Sequence, residues 1–185
     1  MTRFELTPEV AKEYRDRYGL RYFIETGIGQ SDTRAYNLAP LFRMAWALEV
    51  DPETCAIARE RSDGISNLVI CEGSSPESLQ KILPLDGPCL YWLDAHWVGG
   101  GERPAIECPL LAELAVIGRH YRGDVVLIDD ARQFTGVPTP PHDPAKWPSV
   151  SDIVSVTAEL PVVVFVDRER DLIEILPEVE GRAAK

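Results

Sequence analysis

The segment Phe23-Ile24-Glu25-Thr26-Gly27-Ile28-Gly29-Gln30-Ser31-Asp32 restricts this chain more than any other. An apolar run ends in an acid, passes through a glycine turn and opens a helix. That order of events sets a ligand at the carboxyl end of the first strand of an open α/β sheet. A dinucleotide fingerprint would carry a third glycine where Asp32 stands. A carboxylate at a helix N-terminus repels a pyrophosphate, which needs the same amides. It does not repel a ligand that lacks phosphate and carries positive charge. The motif therefore leans away from nicotinamide cofactors.

Strands and helices alternate along the rest of the chain, which predicts a parallel sheet covered on both faces. Thr7-Pro8-Glu9 starts a helix that Gly19 stops. Strands are expected at Tyr22–Glu25, Met44–Val50, Leu68–Cys71, Cys89–Leu93 and Val125–Ile128. Between them a short helix runs from about Asp32 to near Pro40. Two more begin at Asp51-Pro52-Glu53 and Ser75-Pro76-Glu77, and a fourth covers Pro109–Tyr121 with Leu110, Leu111, Leu114 and Ile117 at core spacing. After the fifth strand the rhythm breaks. Thr135–Pro148 holds Pro138, Pro140, Pro141, Pro144 and Pro148 and has no periodicity, the mark of a functional or disordered connection. A helix over Ser149–Leu160 and two strands, Val162–Val166 and Asp171–Leu176, close the chain as an antiparallel hairpin.

With 185 residues, the chain reads as one domain over 1–185. Its net charge of −11 speaks against a nucleic-acid partner and an anionic membrane surface. Cys55, Cys71, Cys89 and Cys108 stand singly, as reduced thiols of a cytoplasmic protein would. A polar, helical N-terminus predicts no signal peptide, and no apolar run reaches the ~18 residues of a membrane span.

S-adenosylmethionine is a ligand that meets the electrostatic demand of the first motif, with its sulfonium and ammonium groups. Five pieces, each at a strand end, carry a resemblance: Glu25-Thr26-Gly27-Ile28-Gly29, Ala47-Leu48-Glu49-Val50-Asp51-Pro52, Cys71-Glu72-Gly73-Ser74-Ser75, Tyr91-Trp92-Leu93-Asp94-Ala95-His96 and Val126-Leu127-Ile128-Asp129-Asp130. In that order they resemble class I S-adenosylmethionine-dependent methyltransferases over about residues 20–178. The resemblance implies a doubly wound, mostly parallel seven-stranded sheet with a C-terminal antiparallel hairpin, a Rossmann-like methyltransferase fold. It implies a cofactor held by Glu25, Gly27, Gly29, Ser31, Glu49, Gly73, Ser74 and Asp94. Glu49 and Asp51 compete for the ribose hydroxyls. Because Asp51 is wanted as a helix cap, Glu49 is preferred.

Asp94, Asp129 and Asp130 are expected at the ends of neighbouring strands. Three like charges that close need protons or a cation, and oxygen donors suit Mg²⁺, Ca²⁺ or Mn²⁺. The cluster is similar to that of metal-dependent small-molecule O-methyltransferases, which implies a metal, Mg²⁺ first, on Asp94, Asp129 and Asp130. Without a metal, Asp129 would satisfy backbone amides and Asp130 would cap a turn. His96, on the same loop as Asp94, is the candidate base, so Asp94 and His96 are the expected catalytic pair. His120 reads as a helix C-terminal charge and His142 as a loop residue within reach of a substrate. Gly99-Gly100-Gly101 reads as a hinge, with Arg103 and Arg132 as candidates for an anionic substrate group and Trp97, Phe134 and Trp147 as pocket walls.

Two functions remain in view: methyl transfer to a small-molecule hydroxyl, with a divalent metal, and a non-catalytic cofactor-binding subunit. The expected partner is a small-molecule substrate, with a homodimer as the assembly to test.

Overall fold

Local signals in the sequence become element ends in the computed structural model, which describes residues 4–29, 33–99 and 102–178. Thr7 caps helix α1 (Pro8–Tyr18), accepting from the Val10 amide at 3.4 Å, and Gly19 closes it in the left-handed region. Asp51 caps α3 (Pro52–Arg61), accepting from the Thr54 amide at 2.7 Å. Ser149 and Asp152 form a reciprocal capping box on α6 (Val150–Thr157). At α4 (Ser75–Ile82) the start falls one residue away from the sequence reading. Ser74 is the cap, without a side-chain bond, and Ser75 is the first helical residue, buried. The remaining helices are α2 (Ala35–Leu38), followed by a 3₁₀ turn over Ala39–Leu41, and α5 (Leu110–Arg119).

The strands are β1 (Tyr22–Thr26), β2 (Met44–Glu49), β3 (Leu68–Glu72), β4 (Cys89–Leu93), β5 (Val125–Asp129), β6 (Val162–Asp167) and β7 (Leu172–Pro177). They form one sheet in the order β3-β2-β1-β4-β5-β7-β6. The first five are parallel neighbours; β7 runs antiparallel to both β5 and β6. The C-terminal hairpin therefore enters the sheet with its second strand inward, and β6 forms the edge. The order reverses between β1 and β4, so the crevice of a doubly wound sheet lies at their carboxyl ends.

Each strand sends alternate side chains to two separate cores. One packs Ile24, Tyr91, Leu93, Val126 and Ile128 against α4, α5 and α6. The other packs Phe23, Trp92, Val125 and Leu127 on the side of α1, α2 and α3. This alternation decides where the polar residues at the strand ends point.

Candidate active site

The carboxyl ends of β1–β4 are held level by bonds that continue the ladder past the strands. Gly27 donates to the Leu48 carbonyl at 2.9 Å, Asp94 to Thr26 at 3.0 Å and Gly73 to Glu49 at 2.7 Å. Gly27 is required twice over. Its φ is 79°, and a Cβ there would lie 2.5 Å from the Asp94 carbonyl oxygen. Gly29 also has positive φ, 68°, but faces open space. Ser31, with Gln30 and Asp32, lies outside the described residues, as do Gly100 and Gly101.

Glu25 points, like Phe23, to the α2 side and is fully buried. Its carboxylate accepts from the Thr33 hydroxyl, the Arg34 amide at 3.2 Å, the Ala35 amide at 3.1 Å and the Arg34 guanidinium at 3.2 Å. Burial pushes its pKa up against those four donors. In this arrangement Glu25 braces the start of α2. Glu49 is the acid at the crevice mouth. Oε2 accepts from the Ile28 and Gly29 amides at 3.0 and 3.3 Å, and Oε1 from Val50 and Asp51 at 2.7 and 2.9 Å. Asp51 is occupied by its helix. Gly73, at φ 133°, and Ser74 border the same crevice at the end of β3.

Asp94 meets both of the other aspartates, Asp129 through a shared Arg34 and Asp130 through His96. Asp129 continues the side of Leu127 and faces Arg34 at 3.7 Å. At Asp130 the chain turns with φ 58°. His96 Nε2 lies 3.2 Å from Asp130 Oδ2 and 3.4 Å from Asp94 Oδ1. Asp94, His96 and Asp130 thus offer ligand atoms within 4.8 Å of one another. Burial alone would push the imidazole down, but the Asp130 and Asp94 carboxylates outweigh it and lift its pKa to about 10. Its Nδ1 faces the Trp97 carbonyl at 3.3 Å.

Counter-charges that the sequence reading did not place are present. Arg34 reaches Glu25, Asp129 and, at 4.0 Å, Asp94, with its guanidinium 4.1 Å above the Trp92 ring. Arg132 pairs with Asp130 at 2.9 Å and with Asp171. Arg103 pairs with Glu107 at 3.4 Å and bonds the Pro141 carbonyl. Both arginines expected to hold an anionic substrate are therefore engaged with the protein.

Glu113 on α5 is a site residue that sequence reasoning missed. It lies three residues past Leu110 and one before Leu114, so the core spacing itself places a carboxyl in the apolar stripe. Burial raises its pKa to about 7, while Ser75 and Thr26 beside it pull the other way. A pocket of about 10 Å³ is lined by Glu113, Asp94, Ala95, His96, Cys108 and Phe134, among others.

Above the cluster, two segments meet. Glu107 is buried and accepts from the Asp143 amide at 3.0 Å and the Trp147 indole at 3.1 Å. His142 and Lys146 stand 3.6 and 3.9 Å from the same carboxylate. Burial opposes its charge, but these donors hold its pKa below the usual range. Trp147 and His142 then lie 5.1 and 6.2 Å from the His96 ring, and Phe134 5.5 Å from Trp147. Trp97, Phe134 and Trp147 thus belong to one roof. His120 ends α5, remote from it in sequence and element.

No family model and no curated protein matches the sequence. Solved structures do match the fold. An O-methyltransferase from Bacillus cereus in complex with SAH, the demethylated cofactor, is 17% identical, with 91% of this chain and 80% of that one covered and a TM-score of 0.60. CalS10, an amino pentose methyltransferase from Micromonospora echinaspora with bound SAM, is 13% identical over 92% and 89% of the two chains, with a TM-score of 0.58. The 23S rRNA methyltransferase ErmE is 16% identical over 93% and 68%, with a TM-score of 0.52. At these identities the likeness is one of architecture, and the chain has the fold of the class I S-adenosylmethionine-dependent methyltransferases.

Proposed function

We propose that this chain transfers the methyl group of S-adenosylmethionine to a hydroxyl oxygen of a small molecule. The observation that carries the reading is the meeting, at the carboxyl ends of β1 and β4, of a glycine-lined crevice with the Asp94–His96–Asp130 cluster. Gly27 lets the loop close onto the β4 turn, Gly29 faces open space beside it, and Glu49 stands where ribose hydroxyls can replace its loop amides. Gly73 and Ser74 lie on the adenine side, and Glu25 holds the loop from below. The net charge of −11 favours a small acceptor over nucleic acid, although ErmE shares the fold.

The donor set also fits a divalent ion. Two carboxylates and an imidazole form a mixed oxygen and nitrogen set that suits Mg²⁺ or Mn²⁺. Asp94, His96 and Asp130 would hold such an ion, which supplies Lewis acidity for a bound hydroxyl. Asp129, turned toward Arg34, sets the charge around that set from outside it. Methyl transfer asks little else of the protein than alignment and exclusion of water, and the Glu107-braced roof provides the second. A metal-free reading is favoured by one observation: Arg34, Arg132 and a protonated His96 already neutralise the acids.

Calorimetry with S-adenosylmethionine tests the reading first. Micromolar binding is expected, weakened by about 1.5–3 kcal/mol in Glu49→Ala. No binding by the wild type would refute it. Transfer of labelled methyl to a panel of catechols and sugars, with and without a chelator, separates the metal-assisted from the metal-free route.

A further inference from the structure

The sheet ends at β6, which is bonded to β7 on one side and has no described strand on the other. An edge strand presents a row of unpaired amides and carbonyls, and proteins ordinarily blunt it with charge, proline or a bulge. A chain with 30 acidic and 19 basic residues places none of them within Val162–Val166, and no proline either. The ladder to β7 runs without a bulge from the Val162 and Pro177 pair to the Asp167 and Leu172 pair. One face of this edge is bare as well. Directly opposed residues share a face, so Val163 stands beside Leu176 and Phe165 beside Glu174 on the α1 side. Tyr14 of α1 reaches as far as Glu174, donating to it at 2.9 Å. β6 lies one strand further out, and Val163 and Phe165 remain 40% and 52% exposed. Val162, Val164 and Val166 pack on the core of the other face. A single exposed apolar residue is ordinary. An aromatic and a valine on an unblunted free edge are a surface made to be joined.

We propose that β6 pairs antiparallel with β6 of a second copy of this chain about a two-fold axis. Such an axis, normal to the sheet, passes a residue that lies opposite itself. Placed at Val164, it sets Phe165 against Val163 of the second copy, twice over, an aromatic and β-branched pair of the kind that stabilises sheets. Placed at Phe165, it would set Asp167 against Val163 instead, so the Val164 register is the one assigned. The strand ends carry matching charge. Arg168 and Glu159 are exposed, and neither has an ion pair among the described residues. Arg170 is engaged within its own chain, with Asp167 at 3.5 Å and Glu174 at 3.9 Å. The antiparallel register lays the Arg168 end of each strand along the Glu159 end of the other. A second copy therefore supplies the opposite charge at both ends of the joint, and the closed symmetry consumes the free edge of each chain. The two-fold turns the second sheet end for end. The two crevices then open at opposite ends of the joined sheet, each chain keeps its own site, and the pairing stands apart from the reaction proposed above.

Sedimentation equilibrium of the full chain over a range of concentrations tests the joint. A monomer in equilibrium with a dimer is expected, with no larger species. Phe165→Glu alters an exposed side chain, leaves the core alone and should weaken the dimer by about 100-fold or more. Arg168→Glu should weaken it by about tenfold, and Glu159→Arg added to that same chain should restore it. That rescue is peculiar to a self-complementary antiparallel joint, because both changes lie in one chain. Amide exchange gives a second reading. The outward amides of Val162–Val166 should exchange more slowly as concentration rises, and Val163→Lys replaces Phe165→Glu if that variant fails to fold. A wild type still monomeric at millimolar concentration would overturn the proposal and leave the edge to another occupant. A dimer of unchanged strength in Phe165→Glu would overturn it by placing the joint elsewhere. Growth into ever larger species would overturn the two-fold closure.

Discussion

Single positions in this site are set by competition between burial and charge, and Glu113 gives the clearest measurable case. Below about pH 4.5 both folded and unfolded chains hold its proton. Above that the unfolded chain ionises while the folded one waits until about pH 7. The folded state binds more protons through this window, so stability falls as pH rises across it and then levels off. Glu113→Gln lacks the penalty and should be more stable than wild type by up to about 3 kcal/mol at pH 8, with no difference near pH 4. Denaturant midpoints at the two pH values check this. An equal shift at both would place the effect in packing. Gly27 is the opposite case, a residue the fold cannot exchange. Gly27→Ala must strain a positive φ and push the β4 turn away from 2.5 Å, so a loss of at least about 1–3 kcal/mol is expected in thermal unfolding. Gly29→Ala meets no neighbour, and its cost should come from φ alone.

At the scale of elements, the roof turns on one carboxylate. Glu107 gathers the Asp143 amide, the Trp147 indole, Arg103, His142 and Lys146, and so ties Thr135–Pro148 to the segment after β4. Glu107→Ala should leave the sheet intact but expose residues 135–148 to proteolysis. Its effect should fall on the KM of the acceptor more than on cofactor binding. Unchanged cutting of that segment would show that the prolines alone hold it. The sequence made the strands, caps and the irregular segment legible, because Asp51, Thr7 and Ser149 act on amides within three residues of themselves. The long-range partners were not legible. Nothing local tells that Arg34, one turn past the glycines, will answer Asp129 across the sheet. Adjacent aspartates read as one pair, but Asp129 faces Arg34 while Asp130 meets His96 and Arg132. Glu113 was missed although the spacing of α5 carried its signal, a charge at a core position.

Across the whole molecule, the reversal of strand order between β1 and β4 gathers acids at one end of the sheet, and the protein answers with cations of its own. Arg34 meets Glu25, Asp94 and Asp129, and Arg132 meets Asp130 and Asp171. Repulsion among the acids therefore no longer requires a metal, and the case for one rests on the donor set alone. An ion that binds only the folded chain stabilises it by mass action, by about 2.7 kcal/mol at a hundredfold excess over Kd. For a domain of this size that is a rise of roughly 5–10 °C in Tm. Mn²⁺ or Mg²⁺ should produce this rise in the wild type and not in Asp130→Asn or His96→Gln. Asp129→Asn separates the two possible ligand sets. It should melt lower than wild type, having lost the partner of Arg34, yet keep the rise with added ion. A rise that survives in His96→Gln but vanishes in both Asp129→Asn and Asp130→Asn would restore the aspartate set expected from strand adjacency. Equal melting with and without ion in every chain would leave Arg34, Arg132 and His96 as the charges that neutralise the site, and the metal-free route as the way its methyl transfer runs.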